Sequence, residues 1–148
     1  MKRDRFLRHV LLALLLALAG YALLFRLIEH RRTRNGPWQV TFIGFTNGGP
    51  SLIIDQAALG ITHVQVVFTG TPPATNGAET VRFAQARTTP FATPLGRCIF
   101  LDTISLPGTV VLEVFGHEVQ LMPRVLTIDR HEHPWRVGET IVLPASGR

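Results

Sequence analysis

The richest polar cluster in the chain is Asp129-Arg130-His131-Glu132-His133-Pro134-Trp135. If this stretch is extended, Asp129, His131 and His133 fall on one face, because side chains alternate along a strand. A carboxylate with two imidazoles is a workable ligand set for zinc or copper. The chain offers no second ligand pair to complete it, and its single cysteine, Cys98, lies far away. The sequence therefore favours an exposed loop closed by Pro134 and no bound metal, with Asp129, His131 and His133 as candidate ligands. Trp135, beside Pro134, is a candidate for stacking on a sugar ring.

Gly116-His117-Glu118 has the opening letters of a zinc-protease helix motif, but Leu121 stands where the second histidine belongs, and the segment reads as strand. Gly116-His117 is expected to form a two-residue type II′ hairpin turn. Glu113 and Glu118 would then approach each other across that hairpin. Paired carboxylates can do acid–base work in a cleft, but a solvated strand face is the expected setting here. His63 alternates out of an apolar strand and is expected at a rim. Cys98, in Cys98-Ile99-Phe100-Leu101, reads as a small buried hydrophobe. The sequence contains no G-x-S-x-G elbow, no G-x-G-x-x-G and no phosphate-binding loop. Neither an enzymatic activity nor a cofactor is expected.

The elements that must carry these residues are strands. After Asn35-Gly36-Pro37 the hydrophobic period is two. Trp38, Val40 and Phe42 share a face, as do Val64, Val66 and Phe68. Cys98 and Phe100 are expected on one face of a strand, with Ile99 and Leu101 on the other. Asn47-Gly48-Gly49-Pro50 and Leu106-Pro107-Gly108 are turn signals. The expectation is an all-β domain, an antiparallel β-sandwich of Ig-like or fibronectin-like type with seven or eight strands. No segment after Gly36 has a long helical period.

The N-terminal segment is different. From Val10 to Phe25 the chain has no charged residue and no polar face. With Phe6, Leu7, Leu27 and Ile28 added, and Arg8 and Arg26 snorkelling, the run is long enough to cross a bilayer. The rival is a cleaved export signal ending at Ala17-Leu18-Ala19. The apolar pattern continues unbroken through Tyr21 to Phe25, which favours a retained signal-anchor. Ala13, Ala17 and Gly20 would share one helix face and permit close helix–helix approach in self-association. The boundaries expected are a basic tail at 1–5, the span at 6–28, a polar basic stem at 29–36, the β domain at 37–144 and a frayed tail at 145–148.

Charge excludes one class of function. The chain carries a net +5, which alone would suggest nucleic acid. Residues 1–35 hold eight Lys/Arg against two acids, and residues 36–148 hold seven Arg against eight acids. The basicity belongs to the membrane flanks, where it meets headgroups. No nucleic-acid partner is expected. Basic residues balance on the two sides of the span, so the charge rule does not orient it. The short N-terminal tail favours placing the domain on the outer side, periplasmic or extracellular. The expected partner is a membrane or envelope protein, met at a sheet edge near Pro123 or at the Gly70–Glu79 loop. The alternative is an exported sugar- or metal-binding module.

Overall fold

The computed structural model describes residues 2–45, 48–72 and 77–145, with side chains from residue 5 onward. The chain divides into two units, Met1–Arg34 and Asn35–Arg148.

The first unit is one helix, α1 (Lys2–Thr33). Its Leu- and Ala-rich sequence is a strong helix former. The Arg5–Thr33 stretch is long and apolar enough to cross a membrane, and its apolar window has no side buried in protein. Leu11, Leu12, Leu15, Leu16 and Leu18 are all more than half exposed. Such a helix is compatible with a transmembrane segment and with an export signal alike. Helical structure continues into the segment expected as a stem. There Arg32 pairs with Glu29 at 2.7 Å and the Thr33 hydroxyl donates to the Glu29 carbonyl at 2.9 Å. Beyond Thr33, Gly36 takes a left-handed φ of 73° and Pro37 follows, a sequence that cannot continue a helix. Ala13, Ala17 and Gly20 lie along one face of α1.

The second unit holds eleven strands among the described residues. They are β1 (Gln39–Ile43), β2 (Ser51–Gln56), β3 (Ile61–Phe68), β4 (Ala78–Arg82), β5 (Phe91–Thr93), β6 (Gly96–Leu101), β7 (Val110–Val114), β8 (His117–Leu121), β9 (Leu126–Ile128), β10 (His131–His133) and β11 (Thr140–Leu143). They form two sheets, β11-β3-β2-β1-β4 and β10-β9-β8-β7-β6-β5. Pairing is antiparallel except that β11 runs parallel to β3. Both sheets feed one apolar core. Trp38, Val40, Phe42, Val64, Val66 and Phe68 come from one, and Cys98, Leu112, Val119 and Leu126 are among those from the other. The period of two at Trp38–Phe42 and Val64–Phe68 thus selects the buried face.

Several expectations are corrected. The strand number, eleven rather than seven or eight, is raised in part by two short strands in segments that read as loops. Phe91–Thr93, between Pro90 and Pro94, pairs with β6, and His131–His133 folds back on β9. The β7–β8 turn is Phe115-Gly116, not Gly116-His117. Phe115 takes a φ of 51°, Gly116 a φ of 82°, and the Phe115 ring packs 5.4 Å from that of Phe68. Two successive positive φ values make the turn I′-like rather than II′. A bulge between Cys98 and Phe100 breaks the alternation of β6, so Cys98 is buried while Phe100 is exposed. Pro123 lies in the turn between β8 and β9, both flanked by neighbours, so no free edge exists there. The edges are β4, β11, β5 and β10. The expected Asn47 turn and Gly70–Glu79 loop fall partly outside the described residues, since 46–47 and 73–76 are not described; Ala78 and Glu79 belong to β4.

The strands run between two loop ends. At one end Trp38, just before β1, donates its indole N–H to the Gly108 carbonyl at 2.6 Å and stacks on Trp135 with centroids 5.3 Å apart. At the other end Phe68 meets Phe115 and His117.

Candidate functional site

Three residues singled out in the sequence sit at or beside the β9–β10 hairpin. Asp129 and Arg130 have φ values of 49° and 69°, a tight two-residue turn. Asp129 is therefore not extended, and its carboxylate leaves the face shared by His131 and His133. It turns instead toward the start of β8. One oxygen accepts from His117 Nδ1 at 2.6 Å, and the other accepts from the Glu118 backbone N–H at 2.9 Å. His131 Nδ1 lies 3.0 Å from the Asp129 carbonyl. Among the described residues no group of three His, Cys, Asp or Glu side chains is arranged to hold a metal ion.

His117 is the functional-looking residue that strand reading missed. It is 7 % exposed, and its two nitrogens face Asp129 and the Pro144 carbonyl, the latter at 2.9 Å from Nε2. A carboxylate and a carbonyl are both acceptors, so the arrangement is fully satisfied when both ring nitrogens carry hydrogen. The contact ties β8, the β9–β10 turn and the end of β11 together. A signal existed: Val119 and Leu121 face the core, and counting back by two reaches His117. Assigning that residue to a turn hid it. Burial pushes the Asp129 carboxyl up. The hydrogen bonds from His117 and from the Glu118 backbone, with the favourable charge of His117 and His131, outweigh that and hold it below the ordinary value.

Beside this contact lies an open depression of about 380 Å³ lined by Glu113, Gly116, Glu118, Asp129 and Arg130. Glu113 and Glu118 are direct cross-strand partners, as their spacing suggested. Each carboxylate has its own donor: Arg97 reaches Glu113 at 2.8 Å, and Gln120 donates to Glu118 at 2.5 Å. The arrangement relieves like-charge repulsion rather than setting one carboxylate against the other.

Trp135 is half-buried. One face of its indole packs on Trp38, and its N–H donates to the Met122 carbonyl at 2.9 Å. His63 is exposed, as expected, with its backbone N–H on Asp55. Cys98 is buried, its thiol pushed up to about 11 by burial and directed at the Phe100 carbonyl. At neutral pH it is a thiol and a poor nucleophile. Between edges β4 and β5 run two depressions of about 280 Å³ each, sharing Val81, Arg87 and Phe91, with the Arg87 guanidinium 5.4 Å over the Phe91 ring.

Compared with known proteins, the chain matches no family model, no curated protein and no solved structure.

Proposed function

We propose that this chain is a single-pass membrane protein that keeps α1 as a signal-anchor and displays its β unit at the membrane surface. We read the unit as a two-sheet sandwich with Ig-like or fibronectin-like layering. Its role is non-enzymatic: an interaction or assembly module on the outer side, engaging a membrane or envelope protein. The observation that carries this reading is α1 itself. The helix runs without a break across Ala17-Leu18-Ala19 and has no polar face from Val10 to Phe25.

The β unit supports the same reading. Its most conspicuous polar contact, His117 with Asp129 and Pro144, is closed by partners on both nitrogens and joins strands together. The geometry favours assembly over the sugar- or metal-binding alternative. Trp135 spends a ring face on Trp38, and Asp129 spends its carboxylate on His117.

The test is protease protection of a C-terminal tag in spheroplasts, with membrane and soluble pools separated. A membrane-bound, digestible tag is expected. A soluble tag would remove the anchor, and a membrane-bound but protected tag would reverse the orientation.

A further inference from the structure

We propose that the loop end of the β unit carrying its N-terminus is a bilayer-contact surface, seated on phospholipid headgroups through exposed apolar tips. The proposal rests on the retained-anchor reading above and adds to it the face that meets the lipid.

The unit has two distinguishable ends. Five connections gather around the entering segment Gly36–Trp38, among them 83–90, whose Phe83 N–H donates to the Trp38 carbonyl at 3.0 Å. The 3₁₀ turn Ala57–Leu59 is held there because the Gln56 side chain donates to the carbonyls of Gly36 and Pro37. The 102–109 connection is held by the bond from Trp38 to Gly108. The 134–139 loop and the Met122–Val125 turn are joined to it through Trp135, which stacks on Trp38 and donates to Met122. Gly138 N–H also donates to the Thr62 carbonyl.

Two of these loops end in apolar side chains that the core does not take. Ile104 is 81 % exposed and Val137 is 68 % exposed. Both backbones are anchored: Ile104 N–H donates to the Asp102 carboxylate, and the Arg136–Glu139 turn holds Val137 between its ends. Fixed turns that hold branched aliphatic side chains outward, with Arg124 and Arg136 beside them, suit a layer where apolar and charged groups are both solvated.

The opposite end is electrically unsuited to an anionic surface. Among the described residues, Glu79, Glu113, Glu118 and Asp129 lie toward it, against the arginines Arg97 and Arg130. The end that carries the N-terminus balances Arg82, Arg124 and Arg136 against Asp55, Asp102 and Glu139, and the segment entering it is rich in arginine.

Covalent reach brings the headgroup layer within range of this end. Five residues, Arg34 to Trp38, separate the end of α1 from β1. Fully extended they span about 17 Å. A segment this short keeps that end within reach of the headgroup layer whenever α1 spans the bilayer.

The full-length protein, reconstituted in vesicles of phosphatidylcholine with phosphatidylglycerol, tests this with nitroxides at single introduced cysteines. The sites are Ile104→Cys, Val137→Cys, Glu79→Cys toward the opposite end, and Leu16→Cys inside α1. Native Cys98 is fully buried and stays unlabelled. Depth is read from the ratio of oxygen to aqueous nickel-chelate relaxation. The expected result is a ratio at Ile104 and Val137 at least threefold above that at Glu79, with Leu16 higher still. Ratios at Ile104 and Val137 equal to that at Glu79, with Leu16 still deep, would overturn the proposal and leave the anchor standing. An aqueous Leu16 label would overturn the anchor reading and this proposal with it. Repetition in pure phosphatidylcholine separates the contributions: unchanged depth assigns the contact to the apolar tips, and lost depth assigns it to the arginines.

Discussion

Asp129→Asn removes one charge from the contact that joins β8, the β9–β10 turn and the end of β11. Asparagine tolerates the left-handed φ of 49° at this position, so the turn survives. Its amide oxygen can still accept from the Glu118 N–H. What is lost is the charged acceptor 2.6 Å from His117 Nδ1. A hydrogen bond to a charged group is worth about 1.5–3 kcal/mol net. The carboxylate side chain is 44 % exposed, so solvent screens part of that. The expected loss is about 1–2 kcal/mol. For a unit of this size that corresponds to a fall in Tm of about 4–10 °C. Both tryptophans lie in the β unit, so intrinsic fluorescence of the full chain in detergent follows its unfolding alone. The pH dependence has a definite sign. Folding holds the Asp129 carboxyl below its ordinary value, so its stabilisation is complete above the unfolded-state value. It disappears as pH falls through the lower folded-state value. The Tm difference between wild type and Asp129→Asn should therefore be full at pH 7 and shrink in acid below about pH 4. A difference under about 1 °C at pH 7, or one that widens in acid, would refute the reasoning.

Three other outcomes are expected. Cys98 should resist a maleimide in the native protein and react fully in denaturant; rapid native labelling would contradict its burial and raised thiol. Gly96→Ala would place a Cβ 2.1 Å from the Glu113 carbonyl, whereas at Gly60 an added Cβ meets nothing. In melts, Gly96→Ala should cost well over 2 kcal/mol and Gly60→Ala about 1 kcal/mol, the latter from its φ of 70°; equal costs would be inconsistent with the crowded β6–β7 approach. Trp38→Phe should cost about 2–4 kcal/mol by orphaning the Gly108 carbonyl and thinning the contact with Trp135, measured by denaturant unfolding.

What was legible in the sequence followed from periodicity. Trp38, Val40 and Phe42 announce a buried strand face because alternation of two is geometric, and the apolar run of α1 announces itself by length. Three-residue strands such as β5 and β10 are too short to show a period, and prolines beside them suggest loops. Asp129 read as a metal candidate because spacing assumes an extended backbone. A left-handed turn redirects its side chain, and nothing in Asp-Arg marks such a turn as Asn-Gly would. The partner of that carboxylate, His117, is 12 residues away and reaches it through the β8–β9 ladder. The third member, Pro144, comes from the far sheet. Contacts set by topology rather than by neighbours leave little trace in a single sequence.

The central claim is that α1 is kept as an anchor. The most direct measurement is the intact mass of C-terminally tagged protein recovered from membranes after alkaline carbonate washing. A retained anchor gives a carbonate-resistant species whose mass includes residues 1–19. A mature chain starting at Gly20 in the soluble fraction would contradict it.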